Sequence, residues 1–367
     1  MKYKKNQSKS KGNTKKSSNK NNSKNTRARK KIPNNINWTD HDVLQPWPDL
    51  VDYQKALGNP KECFYDTAGV IELQNGIMED KIKNIIPFKQ GAFAQVYKIK
   101  VKNIDGIFKE YAVKCFKSRP KRFVNQSSIS DYLKDKKLDF ITIFETDYEI
   151  EIQMDIKVPK PGIIRLSCPL LVTSWINGDT LYSFLEEKNL SQISTIAENF
   201  LTMILEMEKL KIAHGDLHPN NIIILDDNSL KLIDYDGMYV PALKGEESTE
   251  NGSRHYQHPL RYDNEIKIYD ETMDRFSSIV IYLSLLVLHK HPDWFKKYHK
   301  RTEENILFRY GDFKNPGKSK LFKEISQIND PNIKILNAEL QKYCESKKFN
   351  NFKAISEILF QNSGNTQ

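Results

Sequence analysis

The alternation of apolar and polar residues predicts β-strands in the first half of the chain. Tyr97, Ile99 and Val101 alternate with Val96, Lys98 and Lys100, a turn signal follows at residues 103–106, and a second such run covers 111–116. A period of two is typical of a strand with one buried face. A helical stretch lies within residues 120–138, and further strand-like runs cover 148–156 and 170–175. This part of the chain is therefore expected to be rich in β-structure.

The period changes after Asn177-Gly178-Asp179. Residues 181–187 and 193–210 place apolar side chains at helical spacing, and two short apolar runs between residues 221 and 233 flank a polar turn, as in a β-hairpin. Residues 271–290 are apolar on nearly every side, which predicts a buried central helix. The remaining residues are expected to be helical, so the order is a β-rich part, a short hinge and an α-rich part.

Charge is concentrated at the N-terminus. The chain has 367 residues and a net charge of +10, of which residues 1–31 contribute +13 with eleven Lys, two Arg and no acid. Residues 1–35 contain almost no apolar side chain, so this tail is expected to be disordered. It is either a solubilising segment or an arm that binds nucleic acid or another acidic partner. Aromatic and Pro residues between 38 and 66 predict that the next segment packs on the following domain.

Cysteine usage and hydropathy predict a cytoplasmic protein without a membrane span. The four cysteines include no CxxC pair, so the spacing typical of a zinc knuckle is absent. Free thiols fit a reducing compartment. The N-terminus has no apolar signal-peptide core, and the longest apolar run, Ile279 to Leu288, is too short to cross a bilayer.

Two elements of the β-rich part are candidates for phosphate binding. Gly91-Ala92-Phe93-Ala94-Gln95-Val96 lies between two strand runs, and small residues let the backbone bring its N–H groups close to phosphates. Lys114 lies on a later strand, from which an ammonium group can reach phosphates. Taken alone, each has an ordinary explanation, because a glycine often marks a simple turn and lysine is abundant here.

The strongest chemical signal lies between residues 214 and 234. Asp216 and Asn221 occupy one predicted loop, where an Asp can deprotonate a hydroxyl and an Asn can ligate a metal through its side-chain oxygen. Asp234 ends the next predicted strand, where a second metal ligand is expected. A polar turn does not account for His214, Asp216, Pro219 and Asn221 together. Phosphoryl transfer requires phosphates, metal and acceptor hydroxyl to be positioned, so the ordered set predicts a phosphotransferase.

From Ile86 to Leu288 these residues resemble the protein kinase superfamily. His214-Gly215-Asp216 with Asn221 is similar to its His-Arg-Asp catalytic loop, and Asp234-Tyr235-Asp236 replaces its Asp-Phe-Gly. The longer run Asp-Tyr-Asp-Gly-Met, with Tyr256-Gln257-His258-Pro259, resembles an atypical bacterial subset of serine/threonine-kinase-like proteins. The sequence His-Gly-Asp-Leu-His is also similar to that of small-molecule phosphotransferases and of the ubiquinone-biosynthesis kinase-like proteins.

The resemblance implies an α+β, bilobal protein-kinase-like fold. A β-rich N-lobe would comprise residues 86–176 and an α-helical C-lobe residues 177–362, with residues 36–85 as an extension packed on the N-lobe and 1–35 as the basic tail. ATP and Mg²⁺, or Mn²⁺, would be the ligands. The implied catalytic residues are Asp216, Lys114 and His218, and the metal ligands are Asn221 and Asp234. The implied nucleotide contacts are Gly91, Ala92, Phe93, Val96, Ala112, Lys114, Thr173, Ser174 and Trp175.

The nucleotide-binding part departs from the family pattern at two places. Lys89 and Ala94 occupy the positions of the first and third glycines of the family's loop. The family also pairs its strand lysine with a helix glutamate, and no Glu occurs between Ser118 and Lys137. Asp131 is the candidate replacement for that glutamate.

Three further departures lie in the catalytic part. Gly215 replaces the Arg that binds a phosphorylated activation loop in many kinases, and His218 replaces a Lys that contacts the γ-phosphate. Gln257-His258-Pro259 is at the predicted end of the activation segment and lacks the acidic residue of the family's Ala-Pro-Glu. Arg261 is the candidate for anchoring this end of the segment in another way. Ser248, Thr249, Ser253 and Tyr256 are hydroxyls that could be modified.

Three functions are compatible with these features. The first is an active serine/threonine protein kinase of unknown substrate, favoured because the base, the metal ligands and the lysine are all present. The second is a nucleotide-binding pseudokinase or regulatory module, suggested by the altered glycine loop and the missing helix glutamate. The third is a small-molecule kinase, suggested by the residues His-Gly-Asp of the catalytic loop.

Because Gly215 carries no cation for a phosphorylated loop, we expect phosphatase treatment to leave any phosphotransferase activity unchanged. The measurement compares the initial rate of transfer before and after treatment with a broad-specificity phosphatase that is removed before the assay. A large loss of rate would contradict this expectation.

If the tail is an arm for phosphate backbones, deleting residues 1–31 should reduce retention of the chain on nucleic acid at low salt. Retention should also fall steeply as salt rises, since phosphate contacts release counterions. Equal retention of the full chain and the deletion variant at low salt would exclude the arm and leave the solubilising tail.

Overall fold

The structure is a computed structural model. It describes residues 47–64, 73, 76–78, 94–102, 106–118, 120, 124–156, 162–187, 190–248, 251–349 and 352–360. The chain divides into two units, residues 1–44 with 155–164 and residues 45–154 with 165–367. In the first unit only residues 155–156, which end one strand, and 162–164, which begin the next, are described. The tail 1–35 and the predicted phosphate contacts Gly91, Ala92 and Phe93 lie outside the described residues.

A five-stranded sheet forms the β-rich part, as the alternation predicts. The strands are β1 (Gly76–Met78), β2 (Ala94–Lys102), β3 (Phe108–Phe116), β4 (Phe144–Ile156) and β5 (Gly162–Ser174), and their order is β1-β2-β3-β5-β4. Along β2 the apolar side chains of Tyr97, Ile99 and Val101 are buried while the intervening residues are half-buried. The period-two prediction for this strand is confirmed.

A short helical segment covers one face of this sheet. It consists of α1 (Leu50–Leu57) and α2 (Pro60–Cys63), and Asp49 caps α1 by accepting hydrogen bonds from the N–H groups of Val51 and Asp52. Tyr53 is buried and its hydroxyl donates to the carbonyl of Phe116 at 2.9 Å. Trp47 Nε1 donates to the same carbonyl at 2.5 Å. Both contacts tie this segment to the end of β3.

One long helix organises the α-rich part. The helix α7 (Arg275–Lys290) buries residues on all its sides, and it packs against α5 (Ile193–Leu210). The predicted hairpin is β7 (Ile222–Ile224) with β8 (Leu230–Leu232), to which β6 (Asp179–Thr180) adds a third strand. The other helices are α3 (Val124–Lys134), α4 (Leu181–Glu187), α6 (Pro259–Tyr262), α8 (Asp293–Tyr298), α9 (Tyr310–Lys314), α10 (Lys320–Ile325), α11 (Pro331–Glu345) and α12 (Ile355–Phe360).

The β-rich and α-rich parts together give the α+β, kinase-like architecture that the sequence predicts. The hinge between them is the stretch from Trp175 to Gly178, which joins β5 to β6. Over the described ranges, no helix has the length and apolar character needed to cross a bilayer.

Candidate active site

A buried carboxylate holds the backbone of the catalytic loop. Asp274, at the N-terminal end of α7, accepts hydrogen bonds from the backbone N–H groups of His214 and Gly215, the latter at 3.0 Å. Burial raises the pKa of Asp274 above its usual range, and the neighbouring His214 and Arg261 offset part of that rise. The central helix therefore holds the backbone of residues 214 and 215 directly.

A buried arginine holds the same peptide from the other side. Arg261 Nη2 donates to the carbonyl of Gly215 at 2.7 Å, and Nη1 donates to Gln257 Oε1 at 2.5 Å and to the carbonyl of Met273 at 3.3 Å. Only 2% of Arg261 is exposed. Arg261 thus ties the end of the activation segment to the catalytic loop, which gives a physical basis to the anchoring role that the sequence suggests for it.

Gly215 is required by the geometry of this loop. Its φ is +83°, and a Cβ there would lie 2.3 Å from the carbonyl oxygen of Gly237 and 2.6 Å from Met273 Cε. Only glycine adopts this backbone without strain, and no side chain fits the space. The arginine found at this position in many kinases therefore cannot be accommodated here.

The predicted base, Asp216, has one oxygen engaged and one directed to a histidine. Its Oδ1 accepts a hydrogen bond from the N–H of Ser253 at 2.6 Å, and its Oδ2 lies 3.5 Å from His218 Nε2. Burial alone would raise the pKa of Asp216, but His218, His214 and the Ser253 N–H lower it to about 2. The group is a carboxylate at neutral pH, as a base must be.

The backbone of Asp216 orients the side chain of Asn221. Its Nδ2 donates to the carbonyl of Asp216 at 3.0 Å, which fixes the amide plane and turns its side-chain oxygen the other way. The carbonyl of Asn221 accepts from the N–H of Ile233 at 3.0 Å. Because Ile233 precedes Asp234, this bond brings the two predicted metal ligands to neighbouring strand ends.

Asp234 pairs with the strand lysine. Lys114 Nζ lies 2.5 Å from Asp234 Oδ1, and 43% of the Asp234 side chain remains exposed. Burial raises the pKa of Asp234, but the Lys114 ammonium more than offsets this and holds the pKa below its usual range. Asp234 has a left-handed backbone with φ of 64°, a conformation that Asp adopts more readily than most residues other than glycine.

The predicted partner of Lys114 on helix α3 is wrong. Asp131 is 76% exposed and lies 3.8 Å from Lys134 on the same helix. A carboxylate on the solvent side of α3 cannot reach the cleft. The ammonium of Lys114 is instead directed to Asp234, on the opposite side of the site.

Register places the remaining nucleotide candidates on one face of the sheet. Val96 is paired with Lys114, and Ala112 with Thr173, so their side chains share the face that carries the lysine. Thr173 Oγ1 donates to the carbonyl of Ile143 at 3.3 Å. The N–H of Trp175 donates to the carbonyl of Glu110 at 2.8 Å, so it is engaged within the sheet and is not a donor for adenine.

The side-chain oxygens of this site suit a hard cation that phosphate oxygens also bind. Asp234 offers a carboxylate and Asn221 an amide oxygen, and Mg²⁺ is commonly held by one or two such groups together with substrate phosphate oxygens. Over the described ranges no group of three His, Cys, Asp or Glu side chains could hold a metal by itself. The set is therefore suited to a metal that arrives with a nucleotide.

Comparisons with known proteins agree with this geometry. The ABC1 atypical kinase-like domain family matches residues 143–248, which include the hinge, the catalytic loop and Asp234. A curated Dictyostelium discoideum protein, "Probable serine/threonine-protein kinase mkcD", is 23% identical over 247 residues. These matches support the chain's membership of the protein-kinase-like superfamily. The aligned region covers 62% of this kinase-like chain but only 34% of that relative.

A solved structure is similar to the kinase-like chain at low sequence identity. It is the Cydia pomonella granulovirus kinase PK-1, which is 15% identical, with a TM-score of 0.48. The similarity covers 79% of this chain and 95% of the viral one.

Two tyrosines of the kinase-like site have structural roles that the sequence alone does not indicate. Tyr235 is buried, and its hydroxyl donates to the carbonyl of Leu232 at 2.5 Å and accepts from the N–H of Thr142 at 3.1 Å. Tyr256, one of the four hydroxyls singled out for modification, is 2% exposed and donates to the carbonyl of Glu304. Tyr256 is therefore a packing residue in this conformation.

Gly215→Ala should destabilise the chain and displace the catalytic loop. A left-handed backbone costs an L-residue about 1–2 kcal/mol, and the close approach of the Gly237 carbonyl adds to this. We expect the free energy of unfolding in urea to fall by about 2–3 kcal/mol.

Gly317→Ala is the matched control. A Cβ at Gly317 meets nothing within 4 Å, so its effect should be near zero or slightly stabilising. Equal urea midpoints for the two variants would show that Gly215 is not constrained as described.

Proposed function

We propose that the chain is an ATP-dependent protein kinase that transfers the γ-phosphoryl group of ATP to a Ser or Thr hydroxyl. The family match supports a phosphotransferase in general. The observation that carries the proposal is the hydrogen-bonded path from Asp216 through Asn221 to Ile233, which joins the base to both metal-ligand candidates. Such a path supplies the positioning on which phosphoryl transfer depends.

In this proposal Asp216 accepts the acceptor's proton through Oδ2, since Ser253 already occupies Oδ1. The hydroxyl oxygen forms a bond to the γ-phosphorus while the bond from that phosphorus to the β–γ bridging oxygen breaks. ADP leaves, and the proton ends on Asp216 before it passes to solvent. His218 Nδ1 accepts a hydrogen bond from the N–H of Asn220, so its Nε2 faces Asp216 Oδ2 and orients the carboxylate.

Lys114, Asn221 and Asp234 hold the nucleotide end of the site. A Mg²⁺ or Mn²⁺ ion held by Asn221 and Asp234 would neutralise charge on the phosphates. When phosphates are present, the ammonium of Lys114 exchanges its contact with Asp234 for phosphate oxygens. Val96, Ala112 and Thr173 line the adjacent face, and Ser174 is the hinge position for adenine.

The absence of disulfide bonds among the four cysteines supports a cytoplasmic location as part of the proposal. None of Cys63, Cys115, Cys168 and Cys344 is in a disulfide bond. Structural disulfides are rare in the reducing cytosol, so this set is what a cytoplasmic chain would have.

Asp216→Asn should lower the rate of transfer from γ-labelled ATP by about 10²–10⁴-fold, because it removes the base while keeping the side-chain shape. Asp234→Asn should also abolish most transfer, since it removes a metal ligand. The assay supplies Mg²⁺, general protein substrates and a cell lysate, and it separates protein from low-molecular-mass products.

Asp293→Asn, at an exposed position of α8, is the control and should retain full transfer. Label on protein that both site variants abolish supports the proposal. ATP binding without transfer would identify a regulatory module instead. Label confined to the low-mass fraction would identify a small-molecule kinase.

A further inference from the structure

An exposed arginine lies next to the residue that binds the catalytic base. Ser253 donates its N–H to Asp216 Oδ1 at 2.6 Å, and Arg254 is the following residue. Arg254 is exposed, whereas His255, Tyr256 and Gln257 after it are all buried. Its side chain therefore leaves the backbone at the solvent side of the site, one residue from the base's hydrogen-bond partner.

Two helices build a platform for this arginine. The guanidinium carbon of Arg254 lies 4.7 Å from the ring centroid of Tyr310, at the start of α9. The Tyr310 hydroxyl is 2.6 Å and 2.5 Å from the two carboxylate oxygens of Asp263, and Lys314 Nζ is 2.7 Å from Asp263 Oδ2. Tyr262, at the end of α6, packs against the same ring at 5.6 Å. A guanidinium stacked on a fixed ring is held in place while its N–H edge stays available.

The acids near this platform already have partners. Asp263 is bound by Tyr310 and Lys314, and Glu303 Oε2 lies 3.2 Å from His255 Nε2. Arg254 forms no ion pair within the described part of the chain. Burial lowers the pKa of His255, Glu303 opposes this shift, and the positive charges of Arg254 and Arg309 add to it. An incoming carboxylate would therefore find an open cation there.

We propose that Arg254 determines acceptor specificity and that the acceptor is a peptide segment with an Asp or Glu within about three residues of its hydroxyl. The inference rests on the proposed kinase function and names its substrate class. An extended chain advances about 3.3–3.6 Å per residue, so an acid at that separation can meet a guanidinium that starts one residue from Ser253. A charge-assisted bond to Arg favours carboxylate over neutral or basic side chains.

The competing explanation is that Arg254 only fastens the activation segment to α9 through the ring of Tyr310. The two explanations differ in their charge dependence. A fastening role predicts loss of stability in Arg254 variants, with equal treatment of acidic and basic peptides. A specificity role predicts a preference that follows the sign of the side chain at position 254.

The experiment measures binding of two labelled peptides to the full chain by fluorescence anisotropy, with no transfer step. Both peptides carry Ala at the acceptor position, and one has Glu and the other Lys at the flanking positions. We expect the Glu peptide to bind the unmodified chain about fivefold more tightly than the Lys peptide, a difference of about 1 kcal/mol that should shrink as salt is added. Arg254→Ala should remove the preference, and Arg254→Glu should reverse it.

Lys320→Ala is the matched control, because it removes one exposed cation of α10 that lies 3.6 Å from Glu324. It should leave both affinities unchanged, and all variants are compared by melting temperature. Equal binding of the two peptides, binding of neither, or an unaltered preference in Arg254→Glu overturns the proposal. Because no phosphoryl group is transferred, failure of the proposed kinase activity would appear separately, in the labelled-ATP assay.

Discussion

The site depends on one peptide group that is held by two buried charges of opposite sign. Asp274 binds the N–H of Gly215 from the central helix, and Arg261 binds its carbonyl from the activation segment. Neither charge is solvated, so each is stabilised by the backbone dipole between them and by the other's field. Removing either would leave the other buried without compensation, typically at a cost of about 3–5 kcal/mol. The loop that carries Asp216 therefore cannot move independently of α7 or of the segment end.

This constraint explains how the chain dispenses with two features of the family. A phosphorylated loop usually draws on an arginine at position 215, and here the φ of +83° at Gly215 excludes any side chain. The usual acid after the segment's proline is also missing. Arg261 compensates for the missing acid's anchoring role by binding Gly215, Gln257 and Met273 at once. Permanent charges therefore hold the segment end in this structure.

How far sequence reasoning succeeds depends on whether a feature is local. Strand alternation predicts β2 and β3, helical spacing predicts α5, and apolar character on all sides predicts α7, because each signal arises within one element. The catalytic loop is also local, since Asp216 and Asn221 lie five positions apart and bond to each other. These parts of the fold and site follow from the sequence with little help.

The features that sequence reasoning misses are contacts between distant elements. Asp131 has the right charge for Lys114, but the rotation of α3 points it to solvent, and periodicity does not reveal that rotation when the helix is weakly amphipathic. Trp175 lies in the predicted hinge, yet its N–H is used by the ladder with β3. The missing acid at the segment end suggests the anchoring role of Arg261, but composition gives no sign that this side chain is only 2% exposed, since arginine is usually exposed. Each missed feature concerns the direction in which a side chain or an N–H group points, and only the packing of the elements against one another determines that direction.

The distribution of charge gives these contacts a functional consequence. The N-terminal 31 residues carry eleven Lys and two Arg with no acid, and they also contain several Ser and Thr hydroxyls. On the proposed specificity, a basic peptide with the composition of residues 1–31 is a poor acceptor, because like charges at short range repel each other.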